Sequence, residues 1–387
     1  MRFPEFSGEW EKTSIGECFS KVENGLTYDT DNTRGVPVTR IETISDKSIN
    51  YDRVGYANID DKISKYEMQY GDVLFSHINS LKHIGKTAFY DAAQPLYHGM
   101  NLLLLRAKKS LDSKFLYYTL NTHKFLHRCQ VLANQAVNQA SINTKELKSI
   151  NISVPQMQEQ QKISGLISLL DERIETQKKI IEDLKKLKDA ISNQNFTTGS
   201  ALKLGNVGKF IRGLTYSASD VIDDTMGTAV MRSNNISNGD PVNFEELVWV
   251  NKIPNHEQIL RGGDIVICMA NGSSPLVGKA SYYVDCGMES ATVGAFCGIY
   301  RSDNPLTKWL FQSKHYKKHI QRCIQGGNGA IANIYPEDIL AITFNIPSGY
   351  ERVLNILNSL EDKYLVEQKL LCRYLAVKSH LLAQMFI

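Results

Sequence analysis

From Ile163 the apolar positions step by four and three: Ile163, Ile167, Leu170 and Ile174, then Gln177, Ile181, Leu184, Lys188 and Ile191. That rhythm is a heptad seam, the face a helix presents to a partner helix. No proline follows Pro155 before Phe196. A helix over that span would be roughly 60 Å long at 1.5 Å per residue. A second seam closes the chain. Leu354, Leu365, Leu375 and Leu382 carry it, Asn358, Glu361 and Ser379 interrupt it, and Leu357, Leu360, Tyr364 and Leu371 widen it. Pro155 and Pro347 stand where these helices would start, since a missing N–H costs nothing in the first turn. Gln177 and Gln368 fall mid-seam. Either they fix register at a cost in stability, or they lie at the seam's edge. One amphipathic helix of this length cannot hide its stripe alone. Two in one chain most simply pack on each other, and a twofold-like relation between the halves would make them antiparallel.

Ahead of each seam the pattern changes to short strand-like apolar runs, Val73-Leu74-Phe75 and Ile265-Val266-Ile267 among them. Polar, Gly-containing loops separate the runs. A helical stretch follows, around 115–132 and again around 310–324. The two halves also repeat residue by residue. Gly25-Leu26-Thr27-Tyr28 returns unchanged as Gly213-Leu214-Thr215-Tyr216. Gly71-Asp72-Val73-Leu74 returns as Gly263-Asp264-Ile265-Val266, and Gly85-Lys86-Thr87 as Gly278-Lys279-Ala280. Arg128-Cys129 answers to Arg322-Cys323, and Ile152-Ser153-Val154-Pro155 to Phe344-Asn345-Ile346-Pro347. Five matches in one order, about 190 residues apart, define a duplicated domain. Solenoid periods are much shorter. The expected class is α+β with a pseudo-twofold internal repeat. Two similar α/β domains, 1–152 and 197–344, alternate with two long antiparallel coiled-coil helices, 153–196 and 345–387.

Composition narrows the function classes only slightly. The hydrophobic content of 42% and charged content of 22% are those of a soluble globular protein. No apolar run reaches the length of a membrane span, and Met1-Arg2-Phe3-Pro4-Glu5 lacks a signal peptide's apolar core, so a cytoplasmic protein is expected. The cysteines number seven. The count is odd and no C-x-x-C pair occurs, which argues for free thiols over disulfides or structural zinc. A net charge of +3 permits local basic patches without proving a nucleic-acid partner.

The motifs in this order resemble the specificity subunit of type I restriction–modification systems. They are a Gly-Asp strand, a Gly-Lys loop, an Asn/Gln-rich loop, a short helix, a Pro-x-x-x-Glu-Gln helix start and a long coil, all duplicated. Val154-Pro155-Gln156-Met157-Gln158-Glu159-Gln160 is similar to that family's helix-start segment with its first proline replaced. Ala140-Ser141-Ile142-Asn143 is similar to the short helix before it. Ile346-Pro347-Ser348-Gly349-Tyr350-Glu351-Arg352 departs, with Glu-Arg for Glu-Gln. The resemblance implies two target-recognition domains, each reading half of a bipartite site in double-stranded DNA, with the helices setting the gap. It implies two methyltransferase (modification) subunits as partners, joined by restriction subunits. S-adenosylmethionine, ATP and magnesium would belong to those partners, with no cofactor on this chain. The rival reading is a coiled-coil adaptor with duplicated protein-binding domains.

Enzyme motifs fail one by one. No Pro-Pro occurs, as a methyltransferase Asn/Asp-Pro-Pro-aromatic motif requires. Gly85-Lys86-Thr87 has a P-loop's tail, but Ser80 stands where its first glycine belongs. Gly278-Lys279-Ala280 lacks the hydroxyl residue. Gly326-Gly327-Asn328-Gly329 has no preceding strand. His123 and His127, like His315 and His319, have the spacing of helical metal ligands, but nearby Lys124, Lys317 and Lys318 favour a solvated basic face. No catalytic or metal-ligating residue is expected. Base edges are read by Arg, Asn, Gln and Lys, and both halves carry such residues at matching places. The candidates are Arg40, Ser76, His77, Asn79, Lys82 and Lys86, then Arg232, Asn234, Asn271, Ser273, Ser274 and Lys279. Tyr28 and Tyr216 either contact the DNA or pack their turn. Asn134, Gln135, Asn138 and Gln139, with Gln325 and Asn328, form a further polar loop.

Overall fold

The computed structural model describes residues 1–386 apart from 30, 46, 59–62, 137–138, 289 and 326–330. The Gly326–Gly329 motif, Asn328 within it, and Asn138 therefore lie outside the described residues. The chain divides into two compact units, Met1–Lys178 with Lys369–Ile387, and Lys179–Gln368. Each long helix contributes to both.

The first unit is built on an antiparallel sheet of four strands. Their order is Phe19–Asn24, Leu103–Ala107, Val73–Phe75 and Thr87–Phe89. The second unit repeats it as Lys209–Arg212, Cys297–Arg301, Ile265–Cys268 and Ala280–Tyr282. The central strand of each is fully buried, because a helical layer covers one face of the sheet and a second small cluster the other. In the first unit, Ser113–Leu120 and His123–Leu132 form that layer. In the second it is Thr307–Gln312 and Lys314–Cys323. The sequence reads one helical stretch at each place; the structure divides each in two. Thr122 and Ser313 cause the break, each accepting from a backbone N–H three residues on to cap the second helix. The first strand of each domain also pairs with the strand leading into the long helix, Glu11–Ser14 with Asn151–Val154 and Ser200–Lys203 with Thr343–Ile346.

The long helices run Met157–Asn195 and Tyr350–Met385. They start two or three residues beyond Pro155 and Pro347, which stand in the turn before the helix instead of its first position. In the first helix, Ile163, Ile167, Ile174, Gln177, Leu184 and Lys188 are buried, with Leu170 and Ile181 half-buried. Gln177 therefore lies in the seam and not at its edge. In the second helix the buried stripe runs through Leu357, Glu361, Tyr364 and Leu382. Leu354, Leu365 and Gln368 are half-buried beside it. Leu375, expected to pair helices, is 46% exposed and lies off the stripe. The reason is that Glu361 does not interrupt the seam but occupies it.

Within each unit the facing helix segments run antiparallel and share a duplicated ion pair. In the first unit Lys378 binds Asp171, and Arg173 Nε donates to the Tyr374 hydroxyl. In the second, Lys188 binds Glu361 while Lys185 and Tyr364 meet on Asp240. Lys188 and Lys378, like Asp171 and Glu361, stand 190 residues apart. Each unit thus takes its lysine from one helix and its acid from the other.

Candidate nucleic-acid interface

The identical Gly-Leu-Thr-Tyr segments are explained by backbone crowding. Leu26 bridges to Gly99, and Leu214 to Gly294, as isolated parallel β-bridges. A Cβ at Gly25 would fall 2.0 Å from the His98 carbonyl oxygen, and one at Gly213 2.2 Å from that of Gly294. Only glycine permits that approach. The tyrosine three residues on is half-buried in both copies, packed against a small apolar cluster. Arg40 and Arg232 each precede a one-turn 3-10 helix, Ile41–Thr43 and Ser233–Asn235, whose last side chain accepts from the arginine's own backbone N–H. Asn79 and Asn271 lie on two-residue strands that pair with Ala140 and Ala332. The Gly-Lys loops hold Gly85 and Gly278 at φ +84° and +78°, tight turns between strands and not phosphate loops.

This geometry gathers Tyr28 with Arg40, and Tyr216 with Arg232 and Asn271. In the first domain Arg40 Nε donates to the Tyr28 hydroxyl at 3.3 Å. In the second, Tyr216, Arg232 and Asn271 line a cavity of about 430 Å³ together with Ser233, Phe296 and Ile331. Asn271 Nδ2 donates to Ser233 Oγ, and its Oδ1 accepts from the Ser273 backbone. Lys82, Lys86, Asn234, Ser273 and Ser274 are exposed, and Asn79 and Lys279 half-buried.

Two of the sequence candidates are buried. Ser76 is 1% exposed and accepts from Asn79 Nδ2. His77 is buried, its Nε2 3.4 Å from Asn24 Nδ2, and burial pushes its pKa down. Both follow directly on the buried strand Val73–Phe75. The polar loop of the first domain is a hairpin, Asn134–Ala136 with Gln139–Ser141, and Gln325 bridges to Asn333 at the corresponding place. The histidine pairs hold no metal cluster among the described residues. His123 and His127 stack with centroids 6.3 Å apart, and His319 Nε2 lies 3.1 Å from the Asp338 carbonyl oxygen.

Sequence reasoning missed His98, which has no counterpart in the second half, where Val293 precedes Gly294. Its Nε2 bonds to the Leu102 carbonyl, and its own carbonyl accepts from Leu26. Burial pushes its pKa down from an ordinary 6.5 to about 4. Above pH 6.5 both folded and unfolded chains hold it neutral. Below that, the unfolded chain takes up a proton that the folded one refuses. Stability of the first domain is therefore expected to fall as pH drops from 6.5 towards 4, by about 3 kcal/mol in all. Urea titrations at several pH values check this. A His98→Gln variant should lose that part of the slope; an unchanged slope would show that His98 is not its source.

Residues 7–186 match the family model described as the type I restriction modification DNA specificity domain. A protein of Methanocaldococcus jannaschii, described as the MjaX type I restriction enzyme specificity subunit, is 40% identical over 200 residues, 50% of this chain and 47% of that protein. The EcoKI specificity subunit of Escherichia coli is 31% identical over 156 residues, 37% of this chain and 32% of that one. The chain thus spans about half the length, or less, of these curated relatives. A crystal structure of a type I restriction-modification system S subunit from M. genitalium shares the fold at 16% identity. It covers 100% of this chain and 99% of its own, with a TM-score of 0.61. Among the described residues, no helix is long and apolar enough to cross a membrane. Residues 7–186 are thus similar to the DNA specificity domain of type I restriction–modification systems, and the whole chain shares its fold with a solved S subunit.

Proposed function

We propose that this chain is a non-catalytic, sequence-specific DNA-binding subunit acting in the cytoplasm. Each recognition domain reads half of a bipartite duplex site. The paired helices set the gap and dock two copies of a methyltransferase subunit, to which restriction subunits add. S-adenosylmethionine, ATP and magnesium are held by those partners. The observation that carries this reading is a constant frame with divergent loops. The two sheets, their Gly-Leu-Thr-Tyr turns and their arginine-capped 3-10 turns coincide. The loops they present, Ser76 to Lys86 and Met269 to Lys279, do not. Two readers of different half-sites need that contrast, because phosphate contacts position a protein and base contacts specify its site.

Docking of two identical partners is supported by apolar residues left exposed in duplicate on the long helices. Leu166 and Ile356 are one pair and Leu187 and Val377 the other, each 190 residues apart, one member in each unit. The test is to express the chain with its methyltransferase and restriction partners and map methylated bases in the host DNA. A single bipartite motif is expected; methylation without sequence restriction would refute the reading. Lys82, exposed on its 3-10 turn, addresses phosphate. Lys82→Ala should weaken binding to all sequences alike and reduce the slope of log affinity against log salt by about 1, measured by fluorescence anisotropy. Sequence-selective loss would reassign it to base contact.

A further inference from the structure

The two domains treat the same tyrosine–arginine pair differently, and one residue accounts for it. In the first domain Tyr28 and Arg40 meet above Gly55, which pairs with Val38 across two short strands. A Cβ at position 55 would fall 2.7 Å from Arg40 Nε and 2.8 Å from the Tyr28 hydroxyl. The contact therefore exists because glycine leaves that space empty. In the second domain the position paired with Val230, the counterpart of Val38, is Val248. Val248 packs against the same apolar cluster as Tyr216. Val248 carries the branched side chain that Gly55 lacks. Among the described residues no hydrogen bond joins Tyr216 to Arg232. Arg232 is exposed, and the 430 Å³ cavity lies beside it.

The cavity's lining is specific in chemistry. Tyr216 and Phe296 offer two aromatic surfaces, Phe296 being 63% exposed at the rim beside Ile331 at 56%. Arg232 supplies a fork of donors. Asn271 is already oriented by its bonds to Ser233 and Ser273. Large apolar side chains left in water beside a guanidinium suit a planar heteroaromatic group with acceptors on its edge. Stacking on aromatic faces and bidentate donation from arginine are how nucleobases are held.

We propose that this cavity is a nucleobase-binding pocket of the second recognition domain, kept open by Val248 where in the first domain Gly55 lets Arg40 close onto Tyr28. The proposal rests on the DNA-specificity reading and deepens it. It makes Val248, Phe296 and Arg232 specificity-determining residues for one position of the second half-site.

The test uses the assembled complex of this chain with its methyltransferase partner and duplexes carrying the mapped site, with one base at a time removed to leave an abasic position. In the wild type, removing one particular base of the second half-site should weaken binding about tenfold or more. With Phe296→Ala, whose exposed side chain makes it safe for folding, or Val248→Gly, which should let Tyr216 and Arg232 close, the intact site should bind correspondingly more weakly. Loss of that same base should then cost nothing further. Abasic positions in the first half-site should behave as in the wild type, which shows that the variants are folded. If no position of the second half-site is coupled to Phe296 or Val248 while the wild type still prefers its site to a scrambled duplex, the pocket is refuted and the DNA reading stands. If the wild type shows no such preference, the reading itself fails and the pocket with it.

Discussion

Glu361→Leu should lower the unfolding free energy of the second unit by about 3–5 kcal/mol, and adding Lys188→Met should restore most of it. Lys188 and Glu361 are only 3% and 2% exposed. The carboxylate binds the Lys188 ammonium and accepts from the Tyr282 hydroxyl, with Lys308 Nζ 3.4 Å away. The Lys188 ammonium also sits 3.9 Å above the Tyr364 ring. Removing one partner leaves a charge in a dry site, and that uncompensated charge is the dominant cost. Removing both leaves apolar groups in an apolar seam, which is close to neutral. Lys308 is less exposed to the change because its side chain reaches solvent at 24%. The duplicated pair in the first unit supplies a control. Asp171 and Lys378 are 30% and 16% exposed at their side chains, so water shares in their solvation and Asp171→Leu should cost only about 1 kcal/mol. Urea midpoints of the three variants against the wild type decide. Equal losses at Asp171 and Glu361, or no recovery in the double variant, would overturn the account.

That ion pair also marks where periodicity stops being informative. The seam of the first helix was legible because Ile163, Ile167, Ile174 and Leu184 signal burial by their own chemistry. Lys188 and Glu361 signal exposure, and only their mutual neutralisation reverses it. Spacing alone puts Lys188 in the first seam, whereas Glu361 reads as an interruption of the second, and Leu375, which faces solvent, reads as a member. The duplication was legible for a different reason. Gly25 and Gly213 are each forced by a carbonyl about 2 Å from where a Cβ would sit, so identity survives at both places. Reading residues were legible as types on loops but not as positions. Ser76 and His77 have the polarity of readers, yet they continue a buried strand and are themselves buried. Gly55 and Val248 carry no functional signal by type. Their effect comes from what stands across the strand pair, and no spacing rule supplies that.

The aspartates of the two Gly-Asp motifs should be indispensable, each to its own domain alone. Asp264 Oδ1 accepts from Arg301 Nε at 2.8 Å, and its Oδ2 from Arg301 Nη2 at 2.6 Å and from the Arg261 backbone N–H. Asp72 does the same with Arg106 and the backbone of Gln69. Two parallel charge-assisted bonds fix both planes, so each pair pins the central strand to its neighbour at the point where the strand begins. Both carboxylates are nearly fully buried, and Arg301 is 11% exposed at its side chain. Asp264→Ala therefore strands a guanidinium and a backbone donor together, at a cost of about 3–5 kcal/mol. Asp72 and Asp264 share no partner, so the losses in Asp72→Ala and Asp264→Ala should add in the double variant. Hydrogen exchange read by mass spectrometry localises each effect. Asp264→Ala should strip protection from Ile265–Cys268 and leave Val73–Phe75 unchanged, and Asp72→Ala the reverse. If either substitution unprotected both strands, the two domains would not be independent folding units, and one duplicated reader could not be altered without the other.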